Sequence, residues 1–67
     1  MKKCYILLDL YTTLLRHGEI SIDACCNEYA ISVPTFRRYL SDLRNYFLEK
    51  QGKEIIYDPV KKVYALG

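Results

Sequence analysis

Arg37, Arg38, Ser41 and Asn45 fall within nine residues of one another, with Ser32 and Thr35 just ahead and Lys61 and Lys62 in the tail. Their chemistry is that of nucleic-acid recognition. A guanidinium fork matches a phosphate or the edge of guanine, an Asn amide pairs with adenine, and hydroxyls and ammonium groups bind phosphate oxygens. Residue types for other chemistry are scarce. His17 is the only histidine, and it reads either as an exposed residue or as a favourable charge at a helix C-terminus when protonated. No Ser or Cys has a sequence-evident base, and no glycine-rich loop is present to cradle a phosphate. The chain is therefore expected not to be an enzyme and to carry no metal or other cofactor.

The candidate residues need a scaffold, and the hydrophobic spacing predicts one. From Lys3 to His17, Ile6, Leu7, Leu10 and Leu14 recur at helical intervals, and Gly18 can stop that helix. Glu19 to Ile22 is short, and its alternating Ile20 and Ile22 fit a brief strand. Ser21 or Asp23 can cap a second helix over Ala24–Tyr29. Ala30-Ile31-Ser32-Val33 makes a tight connection, after which Pro34 sits where proline is tolerated, in a first helical turn with Ser32 or Val33 as cap. The third helix runs from Pro34 to about Glu49, with Phe36, Leu40, Leu43 and Phe47 on its core face and Gln51-Gly52 at its end. Glu54–Tyr57 and Lys62–Leu66 then read as two strands around the turn Asp58-Pro59-Val60-Lys61.

This order predicts a mainly α fold with a small β-hairpin: a winged helix-turn-helix of three helices plus a two- or three-stranded wing sheet. One domain covers 1–67, with the helix-turn-helix at about 21–50 and the wing at about 54–66. At about 100° per residue, Arg38, Pro34, Ser41 and Asn45 lie opposite the core face of the third helix. Arg37 and Arg44 fall on one flank, Thr35 and Asp42 on the other. The stretch Pro34–Ser41 holds no acid, although acids are normally favoured in a first turn. A helix start free of acids attracts phosphate.

Composition limits the function classes. The 67 residues are 51% hydrophobic and 27% charged, which excludes a disordered tail. A domain of this size buries only about 60% of its unfolded surface, so a deep cleft between subdomains is not expected. Net charge is +2, too mild to identify a nucleic-acid partner by its total. Cys4, Cys25 and Cys26 form an odd set without CxxC spacing. All three are expected to be reduced, mostly buried residues of a cytoplasmic protein. No apolar run approaches the ~20 residues of a membrane span, and no signal-peptide pattern follows Lys2-Lys3.

The segment EISIDACCNEYAISVPTFRRYLSDL, Glu19 to Leu43, resembles the N-terminal helix-turn-helix of bacterial DeoR-type repressors and especially of WYL-domain transcriptional regulators. Their aliphatic-Ser entry is similar to Ile20-Ser21. Their Leu-Ala pair falls on Cys25-Cys26, and their aromatic-Gly-Val-Ser turn on Tyr29-Ala30-Ile31-Ser32. Their Thr-x-x-Arg-Asp-Leu-x-x-Leu helix falls on Thr35, Arg38, Tyr39, Leu40 and Leu43. The tail EIIYDPVKKVYAL is similar to the family's wing. The resemblance implies DNA contact through Ser32, Thr35 and Arg38, with Arg37 beside them. The sequence departs from the pattern at Cys25-Cys26, at Ala30 where relatives carry Gly, and at Tyr39 where they carry Asp. Such modules are normally followed by an effector domain, which these residues do not include; the chain reads either as a fragment or as a complete small protein.

The expectation for function is sequence-specific binding of double-stranded DNA in transcriptional regulation. Helix 34–49 would enter the major groove, with Ser32 and Thr35 on phosphate and Lys61 and Lys62 on the backbone from the wing. Helix one carries a second apolar stripe, Cys4, Leu8, Tyr11 and Leu15, beside the first. Either the hairpin covers it or it is a contact surface; a homodimer through Leu8, Tyr11 and Leu15 is the favoured use. The alternative function is a winged-helix protein-interaction module that uses this same face.

Overall fold

A computed structural model describes residues 2–67. Helix α1, Lys3–His17, buries Ile6, Leu10 and Leu14 along one stripe. It stops at Gly18, whose φ of 79° is left-handed and whose N–H donates to the Leu14 carbonyl at 2.9 Å. Arg16 and His17 occupy the last turn, where cations suit the negative end of the helix dipole. Strand β1, Glu19–Ser21, follows at once and points Ile20 into the core.

Ser21 ends the strand and starts the next helix, because its Oγ accepts from the Ala24 N–H at 3.4 Å. Helix α2, Ile22–Tyr29, thus begins two residues earlier than the spacing alone predicted. It ends on Ala30, which adopts φ 53° and donates its N–H to the Cys26 carbonyl. This is the position where glycine costs nothing and any other residue crowds its own Cβ. Ala30→Gly is expected to raise stability by ~0.5–1 kcal/mol, the relief of strain being partly offset by the entropy of a freer unfolded chain. In a thermal melt followed by circular dichroism this is a gain of ~2–6 °C; an unchanged or lower Tm would contradict it.

Only Ala30–Ser32 separate α2 from α3, Val33–Gln51. Ser32 is the cap: its Oγ accepts from the Thr35 N–H at 3.3 Å, and Pro34 sits in the first turn. Phe36, Leu40, Leu43 and Phe47 bury the core face, and Gly52, at φ 63°, closes the helix.

Strands β2, Ile55–Asp58, and β3, Val63–Leu66, form the hairpin; β2 is shifted one residue toward the turn, taking in Asp58, and β3 begins one residue later than predicted. The sheet is three-stranded and antiparallel in the order β1-β3-β2. Ile20 lies opposite Tyr64, and Tyr57 opposite Tyr64 on the other side. The fold is mainly α, a winged helix-turn-helix with a small sheet. Its core joins one face from each element: Ile6, Leu10 and Leu14 of α1, Ile20, Cys25, the four α3 residues, Ile55 and Tyr64. No helix among the described residues is long and apolar enough to cross a membrane.

Two expectations need correction. Cys4 is exposed rather than buried, since it falls on the outer side of α1. The second stripe of α1 is not covered by the hairpin. Its Tyr11 packs on α3 instead, stacked on Phe47 at 5.3 Å and edge-on to Tyr46 at 5.6 Å, while Leu8 and Leu15 remain exposed.

Candidate nucleic-acid interface

The core face of α3 determines what the opposite edge presents. Arg37, Arg38, Ser41 and Asn45 are all exposed, and they share the outward side that the helical spacing assigns them. Neither Arg37 nor Arg38 forms a salt bridge among the described residues. Their guanidinium groups therefore keep all their donors for a ligand.

The nearest acid is turned away. Asp42 lies on the α1 flank, where its carboxylate meets the Lys3 ammonium at 3.2 Å. Lys3 also stands over the Tyr39 ring, 5.6 Å from its centroid. The departure at Tyr39 thereby acquires a role: a half-buried aromatic ring, rather than an acid, receives the start of α1.

The other flank of α3 faces the sheet. Arg44 lies over the Tyr64 ring, 5.5 Å from its centroid, and the Tyr57 ring packs against Tyr64 at 4.9 Å, tilted by 48°. Tyr57 is 40% exposed. Arg37, seven residues before Arg44, is on the same flank, so the arginine side of α3 and the wing border one surface. Sequence reasoning passed over Tyr57 and assigned Arg44 to a flank only. The available signal was their pairing with Tyr64, and that pairing requires the strand register.

At the start of α3 the hydroxyls are partly committed. Ser32 Oγ accepts from the Thr35 N–H and donates its own hydrogen to Thr35 Oγ1 at 2.9 Å. Ser32 is thus occupied by capping, and the donor left for a phosphate oxygen is the Thr35 hydroxyl. At the wing tip, Asp58 Oδ1 accepts from the N–H groups of Val60 and Lys61, at 2.9 and 3.2 Å. This Asx turn fixes the loop that carries Lys61 and Lys62, both exposed, and Lys62 holds a left-handed φ of 56°. Val60 beside them is 89% exposed.

The remaining reactive groups lie elsewhere. Burial, with smaller contributions from Glu28 and Cys26, pushes the Cys25 thiol up to about 11, which keeps it protonated and unreactive at neutral pH. The Tyr29 phenol is also pushed up, first by burial and then by Glu28 and Asp9; its hydroxyl lies 3.5 Å from the Asp9 carboxylate, tying α2 to α1. Among the described residues no group of three or more His, Cys, Asp or Glu is placed to hold a metal ion. Comparison of the chain with known protein families, with characterised proteins and with solved structures finds no match.

Proposed function

We propose that this domain binds double-stranded DNA with sequence preference, in transcriptional regulation. Helix α3 lies in the major groove and the wing turn lies on the adjacent backbone. One observation carries the reading: an exposed, acid-free edge of Arg37, Arg38, Ser41 and Asn45 on a helix that follows a three-residue turn. A helix is narrow enough to enter the major groove, and this one presents that edge to solvent. The withdrawal of Asp42 onto Lys3 supports this, because an acid on that edge would repel phosphate. The resemblance of Glu19–Leu43 to the DNA-binding modules of DeoR-type and WYL-domain regulators points the same way.

In this reading Arg38 and Asn45 reach base edges, and Arg37 and Ser41 complete the contact. Thr35, positioned by Ser32, holds a phosphate at the helix start, and Lys61 and Lys62 hold the backbone. Lys61 and Lys62, with up to two of the arginines near the backbone, neutralise about two to four phosphates, which gives a plot of log affinity against log salt with a slope of about −2 to −4. Selection from random duplexes, followed by anisotropy titrations at two salt concentrations, tests this. The expected result is an enriched motif bound more tightly than random DNA, with both affinities falling as salt rises. Affinity that is absent, or indifferent to salt, would overturn the reading.

A further inference from the structure

The flank of α3 that faces the sheet carries a cation to which none of the contacts above gives a role. Arg44 is exposed, its guanidinium stands over the Tyr64 ring, and it forms no salt bridge among the described residues. Tyr57 packs against the same ring and is itself exposed. Its hydroxyl has no hydrogen-bond partner among the described residues. We propose that Arg44, seated on Tyr64, and the Tyr57 hydroxyl hold the phosphate backbone of the duplex where it passes between α3 and the wing. The proposal rests on the DNA reading above and adds to it a contact that neither the outer edge of α3 nor the wing turn supplies.

The seat is rigid. Tyr64 is only 9% exposed, and its ring lies 6.1 Å from that of the fully buried Phe36. Strand β3 fixes it from both sides, by pairing with Ile20 and with Tyr57. An arginine laid on a ring spends its flat face there and keeps the N–H donors around its rim. The side chain is thus confined before DNA arrives, which lowers the cost of ordering it on binding.

The wing leads directly to this seat. Tyr64 follows Lys62 by two residues, about 7 Å along an extended strand, or about two nucleotide rises of B-DNA. Tyr57 immediately precedes Asp58, whose carboxylate sets the wing turn through the N–H groups of Val60 and Lys61. A backbone resting on Lys61 and Lys62 therefore runs past Tyr57 and Arg44.

The helix reaches the same strand of DNA from its own side. Arg37 and Arg44 share one flank, about 10 Å apart along the axis. With Arg38, Ser41 and Asn45 turned to the groove floor, that flank faces one wall of the groove, which is backbone. Two acids lie nearby. Asp58 Oδ1 is taken up by its two N–H donors, and Glu54, which lines a shallow hollow with Arg44, Leu48 and Ile55, forms no ion pair with Arg44.

Anisotropy titrations of the full chain on the selected duplex and on a random one, each at several salt concentrations, test the proposal. Arg44→Met, which keeps an apolar stem on the Tyr64 ring, is expected to weaken binding ~10-fold on both duplexes and to make the salt slope shallower by about 1, with unchanged circular dichroism. Arg44→Lys is expected to keep the slope and lose ~3-fold, because an ammonium lacks the planar fork. Tyr57→Phe removes only an exposed hydroxyl; it is expected to weaken both complexes ~3–5-fold with an unchanged thermal melt, a loss that a packing role would not produce. Arg16→Met, in the last turn of α1, removes the same charge elsewhere and is expected to leave the slope as it is.

Wild-type binding that Arg44→Met and Tyr57→Phe both leave intact would overturn the proposal and spare the DNA reading. An Arg16→Met slope as shallow as that of Arg44→Met would also overturn it, by showing net charge to be the cause. Affinity lost at Arg44 alone would remove Tyr57 from the contact. A wild type that binds no duplex would overturn both readings together.

Discussion

Phe36→Ala is expected to leave a large fraction of the chain unfolded at 25 °C. Phe36 has no exposed surface and is the first of the four buried residues of the α3 core face, with its ring 6.1 Å from that of Tyr64. It therefore joins the helix to β3 as well as filling space. Truncating a buried Phe costs ~3–5 kcal/mol, from lost transfer energy and the cavity that remains. A chain of this length has a total stability of only ~3–10 kcal/mol, so one substitution removes a major part of it. Urea denaturation followed by circular dichroism measures the loss. Phe36→Leu, which keeps most of the volume, is expected to cost under ~1.5 kcal/mol. A Phe36→Ala transition within 1 kcal/mol of the wild type would show that the core does not depend on this ring.

Arg38→Ala is expected to weaken binding to the selected duplex by ~10–100-fold and to flatten preference at the base pair it reads, the effect of losing one bidentate base contact. The position suits the test, because Arg38 is exposed and forms no salt bridge among the described residues. Stability should stay within ~0.5 kcal/mol of the wild type. Arg44 is a poorer choice: its guanidinium lies on Tyr64, and truncation there removes packing along with charge. Lys62→Ala provides the contrast. It is expected to lower affinity several-fold for every duplex alike and to make the salt slope shallower by about 1, as loss of one phosphate contact does. If Arg38→Ala behaved like Lys62→Ala, equal on all sequences, then Arg38 would be a backbone contact and base reading would pass to Asn45 or Ser41.

These two predictions draw on information of different ranges. The burial of Phe36 and the exposure of Arg38 are both readable from spacing along one helix, because a helical period assigns each residue a side without reference to the rest of the chain. Chain punctuation is equally local. Gly18 and Gly52 occupy left-handed positions at the ends of α1 and α3, and Pro34 lies in a first turn, where its missing N–H costs nothing.

The sequence by itself therefore determined the order of elements, the limits of α1, the core face of α3 and the outward position of Arg37, Arg38, Ser41 and Asn45. Only the tertiary structure decided what depends on contacts between distant segments. Spacing left open whether Ser21 or Asp23 capped α2, and whether the sheet had two strands or three; pairing of Glu19–Ser21 with Val63–Ala65 answered the second. Ala30, where the resembled modules carry Gly, takes a left-handed φ of 53° in the three-residue turn from α2 into α3. Tyr39, unexplained along its own helix, meets a lysine 36 positions earlier; Asp42 pairs with the same lysine, which keeps negative charge off the exposed edge. The second stripe of α1 divided, with Tyr11 taken by α3 and Leu8 and Leu15 left to solvent. A period identifies which residues share a side, but which neighbour covers that side is decided only when elements far apart in the chain compete to bury the same surface.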